Sequence, residues 1–292
     1  IKSKFKTKKM KNESVFYYEA KKCFAGKNVL ITGATGGIGS LLMATLAYLG
    51  AKVAVIVKDL KKLQDVLNDR NIKRELIHVE KMDFKLDQNY REVFTNIMMK
   101  LGGKLDMLFL CHGYFENGEI IETDLKEYDV SVNINTRSMM SLMSLATPFL
   151  KYTQGNIVLI SSMESFIPVK GSFLNTVTKS MVNSLIKNAA LELASFGVRV
   201  NGVAPGVTNT KLRIDKLEEP KERNNQIFLQ NAGMNNLLSK NVLEPGDIVD
   251  AILFLASDDA QFVTGEIIKV DNGYSLNHDL CFSDESNPTP FQ

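Results

Sequence analysis

The stretch Thr32-Gly-Ala-Thr-Gly-Gly-Ile-Gly39 puts glycines at 33, 37 and 39 between an apolar run and a helical pattern. A loop of this kind binds phosphate, because its backbone N–H groups lie at the positive end of a helix dipole. Gly33 suits a tight turn, Gly37 lets the backbone approach a pyrophosphate, and Gly39 lets a helix pack close to a strand. Thr32 and Ile38 flank these positions. A second signal is Lys58-Asp59, at the end of another apolar run. In dinucleotide-binding folds an acid there takes the ribose 2′-hydroxyl, whereas a cation nearby favours a 2′-phosphate. Asp59 could equally cap the helix that follows. A third signal is Cys111-His112, which invites a catalytic or metal role. No further ligands are spaced to join these two, so they are read as pocket-wall residues, with no metal site.

Elements able to position these groups follow in order along the chain. Asn28 to Ile31 reads as a buried strand, and Leu41, Leu42, Thr45, Leu46 and Leu49 repeat at helical spacing from Ser40 to Gly50. Further strands are predicted at Val53–Val57, Glu75–Val79, Leu105–Leu110 and Asn156–Ser162. Helices are predicted from the end of the second strand to about Asp69, then over about 86–101, 124–150 and 175–195. This alternation is the signature of an α/β domain.

The chain has 292 residues, 45% of them hydrophobic, enough for one large core, and no run approaches the roughly 20 apolar residues of a membrane span. Its three cysteines, Cys23, Cys111 and Cys281, fit neither a disulfide framework nor a zinc site and point to a reducing compartment. Charge is unevenly placed: residues 1–24 carry a net +6, leaving −4 for the remainder of a chain whose total is +2. A mildly acidic domain with a basic arm is not a nucleic-acid binder by composition. The arm, with six lysines before its first acid, is read either as a solvated tail or as a segment that docks on a partner. It supports a mitochondrial location, with the cytoplasm as alternative.

The spacing Thr-Gly-x-x-x-Gly-x-Gly resembles that of the short-chain dehydrogenase/reductase family, and the resemblance extends in order from about Lys27 to Tyr274. Asp83-Phe84 stands where the family places Asp-Val against adenine, and Gly113 keeps the glycine of its Asn-Asn-Ala-Gly segment. Asn135, seven residues after Tyr128, matches the asparagine that holds a relay water; Asn133 competes on sequence alone. Ser162 matches the serine that hydrogen-bonds the substrate oxygen. Val198-Arg-Val-Asn-Gly-Val-Ala-Pro-Gly206 with Thr210 matches the Pro-Gly-x-x-x-Thr signature, so Pro205, Gly206 and Thr210 are expected at the cofactor. The resemblance implies a single Rossmann-fold domain over 25–276, a doubly wound parallel sheet of about seven strands. A lid-like helical segment spans 212–242, and 277–292 forms an extension. It implies NADP(H) in preference to NAD(H), through Lys58, or an empty pocket. It also implies homo-oligomers, or a protein complex, through the helices at about 124–150 and 175–195.

One residue breaks the pattern. The family's chemistry needs Tyr-x-x-x-Lys, with the tyrosine thirteen residues beyond the serine; Lys179 is present, but Asn175 stands in the tyrosine's place. Hydride transfer to a carbonyl needs a proton donor to the developing alkoxide. In the family the lysine lowers the phenol's pKa for this task and also grips the nicotinamide ribose. A carboxamide has no accessible pKa. Glu164 is near in sequence, but helix geometry is not expected to bring it into the acid's place. Two readings follow. In the first, the protein binds NADP(H), is catalytically impaired and serves as a structural or accessory subunit. In the second it is a working NADPH-dependent oxidoreductase that reduces a carbonyl or oxidises a secondary alcohol.

Overall fold

Short apolar runs become seven parallel strands because each is covered on both faces. The protein is described by a computed structural model over residues 22–86, 89–210, 212, 236–239 and 241–277. In chain order the elements are β1 (Asn28–Thr32), α1 (Gly37–Tyr48), β2 (Lys52–Val57), α2 (Leu60–Asp69), β3 (Ile77–Lys81), α3 (Tyr90–Lys100) and β4 (Met107–Leu110). Then follow α4 (Leu125–Val132), a π-helical turn (Asn133–Arg137), α5 (Ser138–Thr153), β5 (Asn156–Ile160), α6 (Phe173–Leu193), β6 (Arg199–Pro205), α7 (Pro245–Ala256) and β7 (Ile267–Val270). The strands form one sheet in the order β3-β2-β1-β4-β5-β6-β7. The order reverses between β1 and β4, and the crevice beyond their carboxyl ends is where such sheets bind ligands.

Alternation along β1 shows how the sheet divides the core. Leu30 belongs to a layer with Ile97, Leu142 and Ile186, under α3, α5 and α6. Its neighbour Ile31 belongs to the opposite layer with Leu46, Leu63 and Ile252, under α1, α2 and α7. This is the period of two expected of a strand with both faces buried. Among the described residues no helix is long and apolar enough to cross a membrane.

Several boundaries differ from the sequence expectation. The first helix starts at Gly37 rather than Ser40, so the second and third glycines lie in its first turn. The third strand runs Ile77–Lys81, not 75–79; Arg74–Leu76 is a 3-10 turn, and parallel pairing sets Val53 opposite Ile77 and Val57 opposite Lys81. The helix placed at 86–101 begins at Tyr90. The helix placed at 124–150 is interrupted by the π turn at Asn133–Arg137 and continues to Thr153. The fifth strand stops at Ile160; Ser161 still donates its amide to the Val203 carbonyl of β6 at 2.8 Å, and Ser162 lies past it. Phe24, inside the stretch read as a basic arm, is buried in the α1/α7 layer, so the packed unit takes in the end of that stretch. Residues 1–21, most of the 212–242 segment and 278–292 lie outside the described residues.

The seat of α1 on β1 depends on a missing side chain. A Cβ on Gly39 would lie 2.3 Å from the Gly33 carbonyl oxygen. Gly39→Ala is therefore expected to destabilise the fold by about 1–3 kcal/mol, the usual range for overpacking. Denaturant unfolding measures it, and an unchanged midpoint would contradict the close approach.

Candidate active site

The cofactor half of the site is built from the glycine turn, the ends of β2 and β3, and the loop after β6. Gly33 takes a positive φ of 69°, and a Cβ there would lie 2.6 Å from the His112 amide nitrogen, so the turn lies against the end of β4. At the N-terminus of α1 no side chain caps Gly36, which leaves its first amides for an anion. A Cβ on Gly37 would lie 2.6 Å from Thr210 Cγ2, so Thr210 packs against the turn. Ile38 is half-buried against the α1/α7 layer. Pro205 ends β6, and a Cβ on Gly206 would lie 2.8 Å from Asp271 Cα, so this loop too is packed backbone to backbone. This cradle fits a pyrophosphate.

Beside it a cleft is lined by Lys58, Asp59, Lys61, Lys81 and Asp83. Asp59 is engaged as the N-cap of α2, accepting from the Lys62 amide at 3.0 Å, which selects the capping alternative. Asp83 follows β3 and accepts from the Lys85 amide at 2.9 Å. The sequence reading missed Lys61 and Lys81. Placing Lys81 required the register of β3 on β2.

The chemical half lies around α6. Ser162, half-buried just past β5, accepts from the Glu164 amide at 3.2 Å. Lys179 is 6% exposed and donates from Nζ to the Ile160 carbonyl at 2.8 Å. A Cβ on Gly113 would lie 3.6 Å from both Lys179 Nζ and Asn135 Oδ1, so residue 113 sits at the junction of these two side chains. Burial pulls the Lys179 pKa down to about 8, against the opposing pull of Cys111 and Glu164. The Cys111 thiol is pushed up to about 12 by burial, which leaves it protonated and a poor nucleophile. Among the described residues no group of three or more His, Cys, Asp or Glu could hold a metal ion.

Asn175 is buried at the start of α6 and donates its amide to the carboxylate of Glu164. Ser172, the N-cap residue of α6, donates to the same carboxylate oxygen at 2.6 Å. Glu164 is fully buried. The expectation that helix geometry keeps Glu164 away holds for a helix, but Met163–Ser165 is a 3-10 turn, and it folds the carboxylate back onto α6. Ser162, Asn175 and Lys179 thus come together, with a carboxylate that the sequence did not place.

Asn135, rather than Asn133, faces this centre. Its Oδ1 accepts from the Tyr114 amide at 2.7 Å, and its Nδ2 donates to the Tyr114 carbonyl at 2.9 Å and to Thr178 Oγ1 at 3.0 Å. The π turn supplies the extra residue that aims it, a common use of such bulges. Tyr114 offers no replacement acid: its hydroxyl is bound to Glu127 at 2.7 Å and Glu116 at 2.8 Å. Burial and those two carboxylates hold its pKa well above the ordinary phenol value.

His112 ties both halves together. Ser138 Oγ donates to the Ile134 carbonyl, so His112 Nε2–H donates to Ser138 at 2.7 Å and Nδ1 accepts from Thr32 Oγ1 at 2.5 Å. Burial, helped by the positive charge of Lys179, drops the imidazole pKa from 6.5 to about 3. The unfolded chain therefore binds a proton that the native state refuses between those values, and stability falls as pH falls through that window. His112 is expected to contribute a slope of up to about 1.4 kcal/mol per pH unit there. His112→Gln should show a shallower acid limb in denaturant unfolding; an identical limb would contradict the neutral ring.

Comparison with known proteins agrees with this geometry. A family model described as enoyl-(acyl carrier protein) reductase matches residues 33–275. A tropinone reductase homologue of Arabidopsis thaliana is 30% identical over 254 residues, covering 87% of this chain and 94% of that protein. Dehydrogenase/reductase SDR family member 6 of Rattus norvegicus is 30% identical over 256 residues, covering 86% and 98%. A crystal structure of a short-chain dehydrogenase/reductase from Caenorhabditis elegans, determined with cofactor, shares the fold at a TM-score of 0.79. Its sequence identity is 22%, over 89% of this chain and 99% of that one. With the turn, the sheet order and the Ser–Lys centre in place, the chain belongs to the short-chain dehydrogenase/reductase family.

Proposed function

We propose that this protein binds NADP(H) and is impaired in proton transfer, serving as a cofactor-loaded accessory or structural subunit rather than an efficient enzyme. The observation that carries the reading is Asn175, buried and hydrogen-bonded to Glu164, where the family's chemistry needs a phenol. The nicotinamide supplies a hydride when bound. On the protein side, the glycine turn and Thr210 hold the phosphates and Lys179 the ribose, while Ser162 can orient a substrate oxygen. The carboxamide of Asn175 has no ionisable proton to hand to that oxygen. The choice of NADP(H) rests on the three lysines of the β2/β3 cleft and on the engagement of Asp59 as a cap.

Exposed Met140 on α5 and Met181 and Leu191 on α6 support pairing through these helices, with a second copy or a partner. A mitochondrial location belongs to the same reading and rests on the lysine-rich residues 1–24 alone. The retained Asn135, Ser162 and Lys179, together with relatives described as reductases, support the alternative of an active NADPH-dependent oxidoreductase.

One measurement tests the cofactor choice and a second separates the two readings. Fluorescence titration should give tighter binding of NADPH than NADH. Lys58→Ala should weaken NADPH about tenfold or more, as for loss of a charged hydrogen bond of about 1.5–3 kcal/mol, and leave NADH unchanged. Equal binding of the two cofactors would remove Lys58 as selector. In steady state with NADPH and small aldehydes or ketones, turnover is expected below about 0.1 s⁻¹. That is a median enzyme rate of about 10 s⁻¹ reduced by the roughly 10²-fold or more that an acid–base group supplies. Turnover of about 10 s⁻¹ or higher would establish the alternative.

A further inference from the structure

The carboxylate of Glu164 has no part in the family's chemistry and yet meets the side chain at the acid's position. It is fully buried, at the positive end of a helix of 21 residues, and accepts from Ser172 and Asn175 in the first turn of that helix. Ser172 and Asn175 both donate to its Oε2. Opposite it, Lys179 on α6 bears the positive charge, and beyond Lys179 lie Cys111 and His112 after β4, a thiol and an imidazole kept neutral by burial.

Any side chain at position 175 that starts in the direction of Asn175 meets this carboxylate first. A phenol whose hydroxyl reached this carboxylate would donate to it, and a hydrogen bond from the neutral form to a carboxylate opposes ionisation. At Tyr114 the pKa is raised by burial first and then by the hydrogen bonds of its hydroxyl to Glu127 and Glu116. Catalysis requires the reverse, a phenol that Lys179 draws down toward neutrality.

We infer that Glu164 is a positioning residue that locks the acid position. While its carboxylate is in place, it holds Asn175, and a tyrosine restored at 175 remains a non-ionising hydrogen-bond donor. Glu164 and Asn175 then form a matched pair, and the return of acid–base chemistry requires both to change. This inference rests on the reading of the site as impaired, but its test does not depend on knowing a substrate.

The experiment is an ultraviolet difference titration of the introduced phenol in Asn175→Tyr and in Asn175→Tyr/Glu164→Gln, each against its parent with asparagine at 175. Subtraction cancels the 8 native tyrosines. Glutamine keeps the size of the side chain and an acceptor for Ser172 and removes only the charge. Should that variant fail to melt cooperatively, Glu164→Ser in the same background replaces it. The ionisation constant of the phenol is expected to rise at least tenfold when the charge is removed. In parallel, reduction of diacetyl and benzaldehyde by NADPH should stay within about threefold of wild type in Asn175→Tyr. In the double variant it should rise about 10²-fold, with a pH profile that follows the phenol. An unchanged or smaller ionisation constant in the double variant, or full rescue by Asn175→Tyr alone, would overturn the inference. Rapid turnover by the wild type would instead overturn the impaired reading and leave the titration result standing.

Discussion

A buried ammonium group must be held by acceptors and opposing charge, and at Lys179 that requirement organises the functional end of the sheet. Its Nζ is anchored on the Ile160 carbonyl, at the last residue of β5, which ties α6 to the sheet where β5 ends. Gly113 lies beside it, and Asn135 approaches from the π turn. The titratable groups nearest in the fold are kept neutral: His112 with its two hydroxyl partners, and Cys111 as a thiol. Glu164 is the acidic exception, and its field acts to keep Lys179 charged. The burial cost of that charge is thus opposed by Glu164, although the phenol that the lysine serves elsewhere in the family is absent.

This balance explains how one substitution can change the character of a site without dismantling it. A phenol exchanges a proton with the substrate oxygen, whereas Asn175 is satisfied by Glu164 and exchanges none. The remaining machinery, the glycine turn with Thr210 and the lysine-lined cleft, is built from elements other than the start of α6. Cofactor binding and proton transfer are separable here because different elements supply them, the β1–α1 turn and the β2/β3 ends for one, the start of α6 for the other.

How much of this is legible in the sequence follows from the range of the interactions. The glycine turn, Ser162 and Lys179 are carried by short motifs whose neighbours in sequence are also neighbours in space. Lys81 is not, because its place beside Lys58 depends on the register of β3, which begins two residues later than the apolar pattern suggests. The π turn is hidden because helical periodicity runs through it, and only the ties of Asn135 to Tyr114 and Thr178 mark the extra residue. Glu164 was set aside on helix geometry. The segment after Ser162 is a 3-10 turn instead, and burial against Ser172 brings the carboxylate to Asn175.

A crystal structure of the protein grown with NADPH tests the central claim most directly. The account predicts the cofactor along the glycine turn, its 2′-phosphate among Lys58, Lys61 and Lys81, and the nicotinamide ribose on Lys179. It also predicts the Glu164–Asn175 hydrogen bond unbroken and no ionisable side chain within hydrogen-bond reach of a substrate oxygen on Ser162. A Glu164 carboxylate turned into the pocket beside Ser162, or a glycine turn left empty at saturating NADPH, would contradict it.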